Sequence, residues 1–274
     1  MAGSTTRAGD WYRGLNPRVQ ALVAAVAIGI AGVAAAWVVP VVVVRPLQYL
    51  GVTFSPIVAT GLSLVLVQGV SFGGLATLYL YRQGRSPLSL FHLPSLRDVV
   101  VAAGGFVGSF ALVIALGALV GALGAPTAEN NVARIGAENP EVLLLLIPAA
   151  FVLIGPGEEI LFRGIVQNRL REAFSPWVAI PVASVIFGAV HYLALTGPPV
   201  ARLVTVGLLS ILTLVFGATY EYTDNLVVPA FIHGAYDALL FVLLYVVVVY
   251  GPGADAVTSA SEAAVSAFGL GLVG

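Results

Sequence analysis

The sequence predicts an all-α fold, a polytopic transmembrane bundle of seven or eight helical spans. Three observations predict it. Of 274 residues, 59% are hydrophobic and only 9% are charged, against about a quarter charged in a soluble domain. The mean hydropathy is +1.01, so most of the surface must face lipid. Apolar runs also recur that reach the roughly 20 residues a helix needs to cross a bilayer.

Taken in order, the runs lie at 18–44, 57–81, 98–123, 141–166, 176–195, 202–220 and 226–250. The first follows a polar tail, 1–17, and is longer than the roughly 7–15 apolar residues of a signal-peptide core, so it reads as a retained anchor. Spans one to three, 18–123, form an anchor half. A polar loop at 124–140 follows, with Glu129, Asn130, Asn131, Glu138 and Asn139. The region 141–250 then carries the buried polar residues. The tail 251–274 is apolar but rich in Gly and Ser, with Glu262 inside it, and fits a short eighth span or an interfacial helix. No internal repeat is evident, and the loops are too short to build a soluble domain.

The arginines test this layout. Every basic residue is an arginine. Arg7, Arg13, Arg18, Arg82, Arg85, Arg97, Arg169 and Arg171 fall on one side, and Arg45, Arg134 and Arg202 on the other. By the positive-inside rule the richer side, and the N-terminus with it, is cytoplasmic in a cell membrane. The net charge of −1 says nothing about partners, because charge is segregated into loops. Arg82 to Arg97 read as a cytoplasmic retention signal in reach of lipid, not as a nucleic-acid site. With no cysteine, thiolate chemistry and Cys-based zinc sites are excluded.

Within the fourth run stand Gly155-Pro156-Gly157-Glu158-Glu159-Ile160-Leu161-Phe162-Arg163. A charged side chain at the bilayer centre costs at least about 2.5–3.5 kcal/mol, so such residues need partners and mark function. Glu159 and Arg163 are four apart and can pair on one helical face, which leaves Glu158, about 100° round the helix, available. The fifth span carries His191, and the seventh His233 and Asp237. At 1.5 Å per residue these groups can share one depth. The glycines Gly155, Gly157, Gly188 and Gly234 allow helices to approach closely. A cluster of Glu, His, Asp and Arg suggests acid–base chemistry on water, with a donor for an oxyanion, or a metal.

Glu158-Glu159-x-x-x-Arg163, Phe187-x-x-x-His191 and His233-x-x-x-Asp237 occur in that order on three spans. The pattern resembles the CPBP, or Abi, family of intramembrane glutamic proteases, which includes type II CaaX prenyl endopeptidases and bacteriocin-processing or immunity proteins. The resemblance covers roughly 141–250; the first three spans match only as generic helices. It implies that Glu158 and His191 hold and activate water, that His233 with residue 237 stabilises the oxyanion, and that Glu159 and Arg163 lock the helix, with Phe187 in support. It implies no cofactor, and a membrane-associated peptide substrate, prenylated or not. The family has Asn or Asp at the last position. Asp237 cannot donate to an oxyanion when ionised, so it must be protonated, bind a cation or pair with His233, the last being preferred.

Rival readings follow from the same residues. A zinc enzyme would use Glu158, His191 and His233 as ligands. A non-enzymatic immunity or scaffold protein would keep the fold alone. A proton-coupled transporter would also bury Glu and His, though repeated halves are then expected. His-Glu-x-x-His, Gly-x-Ser-Gly and Gly-x-Gly-Asp are absent from the sequence. Blander alternatives are a structural ion pair for Glu159 with Arg163 and a core histidine for His191. His92, Glu221 and Asp224 read as solvated loop residues, and Tyr220, Tyr222, Tyr245 and Tyr250 as an interfacial belt.

Overall fold

The computed structural model describes residues 10–251. Its long helices are α1 (Pro17–Tyr49), α2 (Pro56–Arg82), α3 (Leu96–Leu123), α4 (Pro140–Arg171), α5 (Pro176–His191), α6 (Pro199–Thr223) and α7 (Val227–Tyr250). Each lies on one of the apolar runs. Five of them, α1, α2, α4, α5 and α6, open with proline in the first turn, where its missing N–H loses nothing and its fixed φ already suits a helix. At the start of α3, the Ser95 hydroxyl accepts from the Asp98 N–H (3.2 Å) and Asp98 accepts from the Ser95 N–H (2.9 Å), a capping box. That helix ends on Gly124 at φ +60°, a left-handed cap that glycine adopts without penalty.

Six of these helices are long and apolar enough to cross a membrane; α5, with 16 residues, is shorter. The fifth span was expected to run to 195. It stops at His191 because the chain turns there, the Ala194 N–H reaching the His191 carbonyl at 2.9 Å. Leu195–Thr196 then pairs antiparallel with Glu129–Asn130, Asn130 opposite Leu195. This two-residue ladder does not alter the all-α class. The expected polar loop is not wholly a loop either: Asn131–Glu138 is a helix, capped by the Asn130 side chain accepting from the Val132 N–H at 2.7 Å. The tail proposed as an eighth span falls, from 252 onward, outside the described residues, as does 1–9 of the N-terminal tail.

Burial concentrates in the second half. In the most apolar window of α7, 50% of residues are buried, against 17% in α1, so α1 presents most of its surface outward. Helix α4 stands between two apolar cores. Its first turns join Val113, Leu212, Phe216, Ile232 and Phe241. Its last turns join Ala25, Phe72, Ala183 and Phe187. Helices α1, α2, α5, α6 and α7 therefore surround the run that carries the two glutamates, and α3 packs outside on α6 and α7.

Three turns depart from α-helical winding to π-helix: Val65–Gly73 in α2, and Ala150–Ile154 and Phe162–Gln167 in α4. The last two bracket the short α-helical segment Gly155–Leu161. Such insertions are rare and often mark functional sites, because they re-aim the side chains beyond them.

Polar residues are also buried in the first half, contrary to expectation: Gln68, Ser71, Asp98 and Ser109 are at most 9% exposed. Asp98 Oδ2 accepts from Asn225 Nδ2 at 3.4 Å, tying α3 to the start of α7. Two further surface readings are corrected. Tyr220 is buried, its hydroxyl accepting from Asn168 Nδ2 at 2.9 Å, so it is not part of an interfacial belt. Glu221 lies in the last turns of α6 and receives Arg171 Nε at 2.9 and 3.0 Å.

The close approach expected at the glycines is clear at Gly234. A Cβ there would lie 2.7 Å from the Ala150 carbonyl oxygen and 3.0 Å from Phe151 Cα, backbone atoms that cannot swing aside. Gly234→Ala is therefore expected to destabilise the bundle by about 1–3 kcal/mol through overpacking. Thermal unfolding in lipid nanodiscs checks this; a melting temperature equal to that of the native protein would refute it.

Candidate active site

Glu158, Glu159 and Arg163 project from α4, His191 from the end of α5, and His233 and Asp237 from α7. All six are buried, His191 the most exposed at 8%. The i,i+4 pair forms: Arg163 Nη1 donates to Glu159 Oε1 at 3.0 Å. Its other nitrogen, Nη2, donates to the Thr213 carbonyl of α6, also at 3.0 Å. The guanidinium lies over the rings of Phe187 (4.9 Å) and Phe216 (5.4 Å), where the ring faces attract a cation. Arginine suits this place because its planar fork can serve a carboxylate and a carbonyl at once while stacking on aromatics.

Glu159 passes this order on. Its Oε1 also lies 3.0 Å from His233 Nδ1. A carboxylate held by Arg163 can only accept, so Nδ1 carries the hydrogen and donates. The ring stacks on Phe216, centroids 5.0 Å apart and planes 23° from parallel. With Nδ1 committed, Nε2 faces the interior, 4.0 Å from Glu158 Oε2 and 3.4 Å from Asp237 Oδ2.

His191 is fixed by a different acceptor. Its Nδ1 is 2.7 Å from the Phe187 carbonyl oxygen, one turn back. A carbonyl cannot donate, so Nδ1 carries hydrogen, and in the neutral ring Nε2 holds the lone pair. That lone pair is 3.6 Å from Glu158 Oε2. Phe187 packs against the His191 ring at 4.4 Å and against Phe162 at 4.8 Å, so its supporting place is structural, as both carbonyl and ring.

Glu158 is thus surrounded differently from its neighbour. No cation is hydrogen-bonded to it. Oε1 accepts from Gln68 Nε2 of α2 at 2.9 Å, whereas Oε2 makes no hydrogen bond and is turned toward both imidazoles. Buried polar atoms without partners are rare in folded proteins and call for a reason. Glu159 Oε2, Gln68 Oε1, Tyr236 Oη and both Asp237 oxygens share that condition, so what sets Glu158 apart is the lack of a bonded cation and the direction of its free oxygen. A cavity of about 10 Å³ lies against Phe187, Thr213, Phe216, His233, Tyr236 and Asp237.

The preferred pairing of Asp237 with His233 is present as an approach of 3.4 Å without hydrogen-bond alignment. It is made to Nε2, the nitrogen that faces Glu158; Glu159 holds the other. Among the described residues no three His, Cys, Asp or Glu side chains are arranged to hold a metal ion. Both Nδ1 atoms are turned to protein acceptors, which leaves only Nε2 on each ring for anything else. Gln68 and Tyr236 went unread in the sequence. Gln68 had a weak signal, a lone amide in an apolar run; Tyr236 had none, being one aromatic among many.

Residues 140–239 match the family model described as Rce1-like, type II CAAX prenyl endopeptidase Rce1-like. The match contains all three motifs and is consistent with the CPBP or Abi resemblance they carry. Comparison with curated proteins yields no match, and neither does comparison with solved structures. The chain is accordingly a multi-pass helical membrane protein whose second half is similar to a family of proteases.

Removing one member of a buried ion pair strands the other charge, at about 3–5 kcal/mol. Arg163→Leu should lower stability by that amount, and Arg163→Leu with Glu159→Gln should recover part of it. Unfolding free energies in mixed micelles decide this, and a double variant no more stable than the single one would count against the pair.

Proposed function

We propose that this chain is an intramembrane endopeptidase that hydrolyses a membrane-associated peptide, with prenylated CaaX-type C-termini as the substrate class. The observation that carries the reading is the setting of Glu158: a buried carboxylate with one oxygen unbonded and directed at His191 Nε2 and His233 Nε2. The similarity of 140–239 to type II CAAX prenyl endopeptidases gives the substrate class. In this reading 18–123 is the anchor half, 141–250 the catalytic core, and the N-terminus is cytoplasmic in the cell membrane.

Each step uses an atom already described. A water held between Glu158 Oε2 and His191 Nε2 gives a proton to the carboxylate, and its oxygen attacks the peptide carbonyl carbon. The electron pair of the C=O bond moves to oxygen, which accepts a hydrogen bond from His233 Nε2–H. For that donation the His233 ring holds a proton on both nitrogens, Nδ1–H toward Glu159 and Nε2–H toward the oxyanion. The intermediate collapses, the C–N bond breaks, and protonated Glu158 returns its proton to the leaving amine. Glu159, Arg163 and Phe187 hold the rings in place, and Asp237 balances the imidazolium. No metal enters any step.

General-base catalysis supplies about 10²–10⁴-fold, so Glu158→Gln should reduce cleavage by at least that range while the protein stays folded. Peptide termini are to be compared across membranes of cells carrying the native protein or Glu158→Gln at equal expression. New ends seen only with the native protein are expected, and they would name the substrates. Identical termini, with the variant still rescuing a deletion phenotype, would overturn the protease reading in favour of a binding role. Chelators should leave activity unchanged; a loss restored by Zn²⁺ would instead assign Glu158, His191 and His233 as ligands.

A further inference from the structure

Gln68 belongs to none of the three motifs and lies outside the matched segment 140–239. It is 7% exposed and sits on the π-helical turn Val65–Gly73 of α2. Its Nε2 donates to Glu158 Oε1 at 2.9 Å. We propose that Gln68 is a positioning residue that fixes the Glu158 carboxylate, so that Oε2 alone faces His191 and His233.

The geometry explains why such a group is needed. The last torsion of a glutamate is broad and roughly two-fold, so an untethered carboxylate would exchange its oxygens and swing among nearby donors. A hydrogen bond to Oε1 removes that freedom. An amide is the suitable donor because it orients the carboxylate without neutralising it. A guanidinium in its place would form a second ion pair like that of Glu159 and reduce the carboxylate's ability to take a proton.

The seat of the amide is built into α4. A Cβ on Gly157 would lie 2.9 Å from both the carbonyl oxygen and Oε1 of Gln68, and 3.0 Å from its Cβ. Only a residue without a side chain lets Gln68, backbone and amide together, come this close to α4 beside Glu158. The π-helical winding of α2 supplies the matching half, since it changes which residues of that turn face α4. Residue 157, residue 68 and the winding between 65 and 73 thus act together, and they carry the anchor half into the site.

The catalytic consequence rests on the endopeptidase reading, whereas the orientation of Glu158 does not, and the experiment separates them. The full chain is prepared in lipid nanodiscs as the native protein, Gln68→Met, Gln68→Asn, Gly157→Ala and Glu158→Gln. The infrared difference between native protein and Glu158→Gln identifies the Glu158 carboxylate band. That band should move in Gln68→Met, in Gln68→Asn, whose shorter amide cannot reach, and in Gly157→Ala, which displaces the amide. On a farnesylated CaaX peptide reporter, kcat should fall about tenfold or more, the worth of a hydrogen bond to a charged group. KM should stay within about twofold, because substrate binding is untouched. An unmoved band in Gln68→Met that melts like the native protein overturns the proposal, as does undiminished kcat in that variant. Should Gln68→Met not fold, the band in Gly157→Ala and Gln68→Asn decides in the same sense. A native protein that leaves the reporter uncut refutes the CaaX substrate class, and the band still decides the position of Glu158.

Discussion

The ion pair between Glu159 and Arg163, at most 1% exposed, is the constraint on which the rest of the site depends. Two charges taken out of water are tolerated only if their geometry is good and their remaining hydrogen-bonding capacity is met. Here that requirement reaches across the bundle and is met in part, since Glu159 Oε2 has no hydrogen-bond partner. Arg163 takes the Thr213 carbonyl of α6 and the faces of Phe187 and Phe216, and Glu159 takes Nδ1 of His233 on α7. One pair on α4 therefore registers α5, α6 and α7 against it. It also sets the rotation of α4, which turns Glu158 away from the arginine and toward the two rings. Two adjacent residues of one kind acquire opposite chemistry because one has a cation and the other an amide.

Much of this was legible in the sequence, for reasons that can be stated residue by residue. The runs were clear because the bilayer sets a length that apolar segments must meet, and each was found within a few residues of its helix. Glu159 with Arg163, Phe187 with His191 and His233 with Asp237 were legible because i,i+4 spacing is a local property. The first forms an ion pair, the second is joined through the Phe187 carbonyl, and the third is a 3.4 Å approach. The end of α5 was not legible, since Leu195 and Thr196 are as apolar or neutral as the residues before them; the chain turns after His191 and these two residues pair instead with Glu129–Asn130. Tyr220 was misplaced for a like reason, its hydroxyl being claimed by Asn168 on another helix.

Gln68 shows the deeper limit. A neutral amide in an apolar run carries no charge that demands a partner, and its partner is 90 residues away in sequence. Counting at 3.6 residues per turn also fails across a π-helical stretch, because every side chain beyond it is re-aimed. Three such stretches occur, in the two helices that bring Gln68 and Glu158 together. Periodicity from sequence is reliable where winding is regular, and here it is irregular where the site is made.

The charge count of the cluster gives Asp237 a place in the proposed chemistry. With Arg163 and a doubly protonated His233 as cations, the carboxylates of Glu158, Glu159 and Asp237 leave one negative charge in excess. When Glu158 takes the proton of water, that excess leaves its carboxylate and appears on the tetrahedral oxygen beside His233 Nε2. The negative charge moves across a few ångströms of low-dielectric interior and does not grow, so no new charge has to be created away from water. An asparagine at 237 would make the resting cluster neutral, and the imidazolium would then lack its second counter-charge, 3.4 Å away in this structure. Aspartate at this position is thus compatible with an oxyanion as long as His233 keeps both protons, and Glu159, bound to the opposite nitrogen, is the group that makes the first of them secure.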